Sequence, residues 1–245
     1  MWFYWLMFLV PAVAAIRAST TPVAHAGGQG RWSAGWLVVA LTLAVLVGYR
    51  HEVGGDWDTY LRLFEENQEL LTDPGYRLLN RIVAELGGNI YHVNLVCGSI
   101  FAACLVAFCR TLVRPWLALS VSIPYLVIVV GMGYSRQAVA LALVMGGLLM
   151  LRRGKAFWFV VPVLVGATFH KTAVLLLPIV ALSRTRNKYW TAVWVAVVGF
   201  LAYEVLLADA TEDLYATYIE SDYQSEGALV RTLMNALTGA ILLLW

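Results

Sequence analysis

The sequence predicts an all-α integral membrane protein with about nine transmembrane or partly spanning helices and one helix lying along the outer interface. Three observations predict it. Hydrophobic residues make up 61% of the 245 and charged residues only 13%, with a mean hydropathy of +0.74; a soluble domain carries roughly 25% charged residues. The apolar residues fall in runs of helical length separated by polar breaks. The basic residues are sorted by loop: segments 17–31, 110–114, 152–155 and 184–188 hold Arg or Lys and no acid, while all acids lie in the other loops or at their margins. The net charge of +2 is therefore uninformative about partners.

Taken in order, residues 1–16 are apolar from position 2 and lack the basic leader of a cleaved signal peptide, so they read as a first span. Residues 32–49 form a second span and 89–113 a third. Apolar runs follow at 116–132, 138–151, 157–169, 172–183, 189–207 and 232–245. A full crossing needs about 20 apolar residues, and several of these runs are shorter. The outer loop 50–88 carries its own helices. Residues 59–71 read as one, with Asp58 as its N-cap; Asp73-Pro74 reads as a cap and first helical position of another. In that second helix Leu78, Leu79, Ile82, Val83 and Leu86 recur at helical spacing, which gives one apolar face suited to the membrane interface. A second outer loop, 208–231, is acidic and tyrosine-rich. No internal repeat is evident, and the chain reads as a single polytopic domain, 1–245. Cys97, Cys104 and Cys109 share one apolar run at a spacing that fits no zinc or redox motif, so they read as packing residues.

The positive-inside rule puts the four basic segments in the cytoplasm. Any two of them are then separated by an even number of crossings. Residues 116–151 become a hairpin with Arg136 at its outer tip, 157–183 a hairpin tipped by His170 and Lys171, and the N-terminus lies outside. Helices this short imply tips recessed below the membrane surface, where non-helical backbone is tolerated only if it lines a cavity. The cytoplasmic loops are too short to hold a domain, which leaves the outer face for chemistry.

Arg136 stands between two runs without a charge, so its guanidinium must face a polar cavity or water. The same topology gathers Asp56 and Asp58 after Gly54-Gly55, Asp73 and Tyr76 at the interfacial helix, Gln137, His170, Lys171, and Arg231 before the last apolar run. Cations at that depth suit an anionic substrate such as a lipid-linked diphosphate, and a nearby carboxylate can take a proton from an attacking hydroxyl. Each residue also has a plainer use. Asp58 and Asp73 serve as caps, Tyr60 and Tyr76 as interface aromatics, and Arg136 as an inter-helix ion pair with an outer-loop acid. His170 serves as a satisfied core histidine, Lys171 snorkels to the surface, and Arg231 anchors a span. Gly54-Gly55 lets the backbone approach a ligand closely at Asp56. No cofactor and no metal constellation is expected.

Four stretches resemble the EpsG family of bacterial exopolysaccharide and O-antigen polymerase-like (Wzy-like) membrane proteins: VGGDWDTY at 53–60, DPGYRLLN at 73–80, YSRQAVA at 134–140 and ATFHKTA at 167–173. The resemblance covers roughly residues 35–235. It implies a GT-C-like/Wzy-like fold and metal-independent glycosyl transfer on the outer face of the bacterial cytoplasmic (inner) membrane. A polyprenyl-diphosphate-linked oligosaccharide is the implied donor and a sugar hydroxyl of another lipid-linked unit the acceptor. Asp56, Arg136 and His170 carry over as catalytic residues, with Asp56 or His170 as base. Tyr60, Asp73, Tyr76 and Gln137 carry over as substrate-binding residues, and Arg231 does so through a further likeness of residues 227–231; Lys171, outside the matching positions, is expected to aid Arg136 in binding the diphosphate. The implied partners are the lipid-linked saccharide, the bilayer and chain-length regulator or export proteins, with no nucleic acid. Two departures stand out. Asp73 occupies a place where glutamate is more usual, and the chain stops at Trp245, where family members commonly run on for further spans, as a C-terminally truncated frame would. Competing readings are a transporter or flippase of lipid-linked sugars, an acyltransferase with His170 as base, and a non-catalytic subunit of a polysaccharide assembly system.

Overall fold

The computed structural model describes residues 2–19, 32–65, 73–179, 187–206 and 233. All regular structure among them is helical. The first apolar run forms α1 (Trp2–Ser19) and the second α2 (Ala34–Gly48). The polar segment 50–88 holds α3 (Trp57–Glu65) and α4 (Pro74–Glu85). Then come α5 (Ile90–Cys109), α6 (Pro115–Ser122), α7 (Ser135–Arg152), α8 (Ala156–Phe169) and α9 (Lys188–Leu206). By length and composition α5 and α7 are long and apolar enough to cross a membrane, while α1, α2, 115–131, α8 and α9 are shorter apolar helices. Residues 1–203 form one compact unit and 204–245 a second. The expected segment 232–245, the loop 208–231 and Arg231 lie outside the described residues, apart from Leu233.

Two elements depart from simple α-helix. α6 runs directly into a π-helix, Ile123–Gly131, whose second residue is Pro124. Proline has no N–H with which to continue the α ladder, and the chain resumes at a wider register. After α8 the backbone extends at His170 (φ −155°, ψ 113°) and re-enters as a 3₁₀ segment, Lys171–Leu176. The run expected as a helix from 172 therefore begins as this tighter turn. α3 starts two residues before the expected 59, so Asp58 lies inside its first turn and is exposed. Asp56 instead holds the position before the helix, and its carbonyl accepts the Tyr60 N–H at 2.9 Å.

Small residues set how closely the long helices pack. A Cβ on Gly48 of α2 would stand 2.6 Å from the Leu95 Cα of α5, and one on Gly98 would stand 3.0 Å from the Ala44 carbonyl oxygen. Between α7 and α8, a Cβ on Gly147 would lie 3.0 Å from the Phe159 carbonyl oxygen, and one on Gly166 3.1 Å from that of Ala140. Helices in lipid associate through such close backbone approach, because lipid tails are as apolar as leucine and supply no hydrophobic drive. The core between them is built on Phe101, Leu105, Leu119, Ile123, Val127 and Ala142, all nearly inaccessible. Val38, Leu41, Phe157, Trp158, Val165, Val197 and Phe200 point outward from their helices. A soluble domain could not display that much apolar surface, so these faces suit lipid.

Candidate functional site

α3 and α4 pack onto one end of the bundle through aromatic side chains. Trp57, Tyr60, Tyr76 and Val83 share a cluster with Val93 and Cys97 of α5 and Val139 of α7. The Tyr60 and Tyr76 rings lie 5.6 Å apart, and Trp57 tilts against Tyr91 at 5.8 Å. Gly75, in the first turn of α4, meets the Thr168 side chain at the end of α8 so closely that a methyl group would collide with it. These contacts bring α4 onto the corner where α8 ends.

Asp73 sits where the sequence predicts, at the N-cap of α4 with Pro74 following, but its side chain caps nothing. The carboxylate turns inward and is 4% exposed; its Oδ2 accepts a 2.8 Å hydrogen bond from Nη1 of Arg136, in the first turn of α7. Arg136 also donates from Nε to the Tyr60 hydroxyl at 3.4 Å, and its guanidinium lies 5.4 Å from the centre of the Tyr60 ring. The inter-helix ion pair that was the plainer reading of Arg136 is therefore present. It leaves a guanidinium edge outward, since the Arg136 side chain remains 26% exposed. Burial raises the Tyr60 pKa despite the opposing pull of Arg136, and raises that of Tyr76 well above its ordinary value. Both phenols stay protonated at physiological pH. The Tyr76 hydroxyl has no hydrogen-bond partner among the described residues.

Gln137 and His170 line a groove of about 260 Å³ between α7 and the corner after α8. Thr172 joins them at its polar side, and Ala140, Leu141, Val144, Ala173 and Leu176 make the rest apolar. His170 is half-buried, and that burial lowers its pKa; Asp73 raises it and Arg136 lowers it further, so the imidazole feels both members of the ion pair. Lys171, next in the chain, is half-buried. Asp56 is half-buried within electrostatic reach of Tyr60 and Arg50, with no side-chain hydrogen bond among the described residues. The expected residues thus fall into three adjoining places: Tyr60, Asp73, Tyr76 and Arg136 in contact, Gln137 and His170 in the groove, and Asp56 at the start of α3. Among the described residues no group of three His, Cys, Asp or Glu side chains gathers as a metal ion would require.

The close backbone approach at Gly54 has a partner within the chain. Gly54 has φ +98°, and a Cβ there would stand 2.5 Å from the Gly133 Cα. The backbone approach that this glycine makes is to the turn before α7. Gly55 faces open space.

Sequence reasoning missed a second polar cluster directly beneath that turn. Arg50, only 3% exposed, donates from Nη1 to the Gly131 carbonyl at 2.9 Å and from Nη2 to the Ser135 hydroxyl at 2.6 Å. Its Nη2 also lies 3.4 Å from Asn94 Oδ1, which accepts the Ser135 hydroxyl at 2.8 Å. The available signal was Asn94, a carboxamide inside the apolar run 89–113, where a polar side chain needs a partner.

The EpsG family model matches residues 34–245. No curated protein and no solved structure matches the chain.

Proposed function

The chain belongs to the EpsG family of exopolysaccharide-related, polymerase-like membrane proteins, and on that premise we propose that it joins polyprenyl-diphosphate-linked saccharide units on the outer face of the bacterial inner membrane. The observation that carries the proposal is the partly exposed Arg136 guanidinium, held by Asp73 and Tyr60 beside a groove lined by Gln137 and His170. Two of its donors are engaged and the others remain for an anion; a guanidinium presents five N–H groups in a planar fork that matches phosphate.

In the proposed reaction the acceptor hydroxyl oxygen bonds to the anomeric carbon of the donor sugar. The bond from that carbon to the diphosphate breaks, and the diphosphate leaves with the electron pair. Arg136, with Lys171 beside the groove, stabilises the charge that accumulates on the leaving group, an effect strengthened where water is excluded. His170 takes the hydroxyl proton. Its lowered pKa keeps the imidazole neutral and able to accept at physiological pH. Asp56, with no side-chain hydrogen bond of its own, is the alternative base. Gln137 and Thr172 offer hydrogen bonds to sugar hydroxyls, and the apolar lining of Leu141, Val144 and Leu176 suits the first isoprene units.

The test is glycan chain length in the native host, with the gene deleted and then restored as wild type or as Arg136→Ala. Loss of long polymer, with single lipid-linked repeats accumulating outside the membrane and rescue by the wild type alone, is the expected result. Repeats accumulating inside would make the protein a flippase, and unchanged polymer after deletion would refute the proposal.

A further inference from the structure

We propose that Arg50 is a positioning residue for Arg136, acting through the turn that joins the π-helix to α7. The inference rests on the reading of Arg136 as the cation of the site. Three observations lead to it.

The first is what Arg50 touches. Its two terminal nitrogens bond Gly131, the last residue of the π-helix, and Ser135, the first of α7. They grip the break between the two helices at both ends, and Arg136 is the next residue along. Asn94 of α5 braces the grip by accepting from both Ser135 and Arg50. The second is what Arg50 does not touch. Its guanidinium is nearly inaccessible, yet no carboxylate pairs with it among the described residues, and its Nε has no partner there. A buried charge with no carboxylate in contact, Asp56 acting on it only from a distance, is a poor way to stabilise a bundle, because apolar side chains of similar volume usually do so better. A rigid planar fork spanning two acceptors is, however, well suited to fixing a turn. The third is that the chain after Arg50 seats on the same turn, with Gly54 against Gly133. The loop from 50 to 54 therefore holds residues 131–135 from two directions. Broken α-helical geometry on the far side of the turn makes that hold necessary, since a π-helix leaves its last carbonyls, Gly131 among them, without partners within the helix.

The test uses the full chain in its membrane, with Cys97, Cys104 and Cys109 changed to Ala and a single reporter, Tyr134→Cys, in the turn. The readout is the rate of labelling by a membrane-impermeant maleimide. Arg50→Gln should speed labelling about tenfold or more, the expected consequence of losing charge-assisted hydrogen bonds that keep the turn closed. Arg50→Lys should recover part of the difference. Ser135→Ala, which removes one hydroxyl and leaves the charge, should speed labelling by a smaller factor. If Arg50→Gln does not accumulate in the membrane, Ser135→Ala decides alone. Labelling unchanged in the accumulated variants would overturn the proposal. Polymer formation supplies a second readout: Arg50→Gln should lower its rate about tenfold in the wild-type background and add nothing in an Arg136→Ala background, the non-additivity expected of residues that act as a unit. Equal losses in both backgrounds would overturn it too. A chain that forms no polymer in any variant would count against the functional reading, while the labelling comparison would still decide the role of Arg50.

Discussion

Replacing Arg136 by lysine keeps the charge and removes the fork. The structure shows what that costs. Arg136 reaches Asp73 from one terminal nitrogen at 2.8 Å, reaches Tyr60 from Nε at 3.4 Å, and still has an exposed edge. A lysine ammonium is a single point at the end of a flexible stem. If it pairs with Asp73 it cannot also lie against Tyr60 and hold a defined edge toward a phosphate. On the proposed function, the variant thus loses at least one oriented, charge-assisted hydrogen bond to the diphosphate. Such a bond contributes about 1.5–3 kcal/mol, which corresponds to roughly 10–150-fold in rate. The assay is the initial rate of polymer formation in membrane vesicles supplied with lipid-linked repeats, normalised to the amount of protein. Arg136→Lys should fall near Arg136→Ala. A lysine variant within about twofold of wild type would refute the argument that planar, two-pronged recognition matters here.

Three further outcomes are expected. Asp73→Asn keeps the shape but leaves Arg136 without its counter-charge, and the thermal midpoint in detergent should drop by the equivalent of about 1.5–3 kcal/mol; an unchanged midpoint would mean the ion pair contributes nothing. Gly54→Ala should lower the amount of folded protein, since φ is +98° and the new methyl meets the Gly133 backbone, a destabilisation of more than ~1 kcal/mol. Gly55→Ala, with nothing within 4 Å, is the matched control and should behave as wild type. Burial disfavours the imidazolium of His170, so its folded pKa lies below the ordinary 6.5. Activity that needs the neutral ring should be flat above neutrality and fall only on the acid side of 6.5. The linked stability falls in the same window, because below 6.5 the unfolded chain binds the proton more readily than the folded one. A half-activity point above 6.5, or an unchanged acid limb in His170→Gln, would refute that role.

The helices and their order were largely legible, because an apolar run of fifteen to twenty residues bounded by charge has few other ways to satisfy its backbone in lipid. The positions of Asp73 and Pro74 were legible for the same local reason: their residue types suit a helix start. What the Asp73 carboxylate does was not. A cap preference describes where a residue sits, whereas the direction of this side chain is set by an arginine 63 residues away. Gly54 illustrates the same limit, since the sequence shows that a backbone can come close there but not what it comes close to. Arg50 looked like the first residue of a polar loop, and only folding brings it to Gly131 and Ser135, 81 and 85 residues distant. Nothing in local composition distinguishes the nine-residue π-helix from the α-helix that precedes it, beyond a proline that either form tolerates near its start.

The pairing of Asp73 with Arg136 bears on how the protein is made. Chains emerge at about 5–20 residues per second, so the acid leaves the ribosome roughly 3–13 s before the arginine that needs it. A lone guanidinium is costly to place among apolar segments, and α7 begins with one in its first turn. Because the α3–α4 loop is already synthesised, the counter-charge is waiting when α7 arrives. A circularly permuted gene encoding α7 ahead of α4 would present the same residues in the opposite order, and the insertion machinery would meet the arginine unaccompanied.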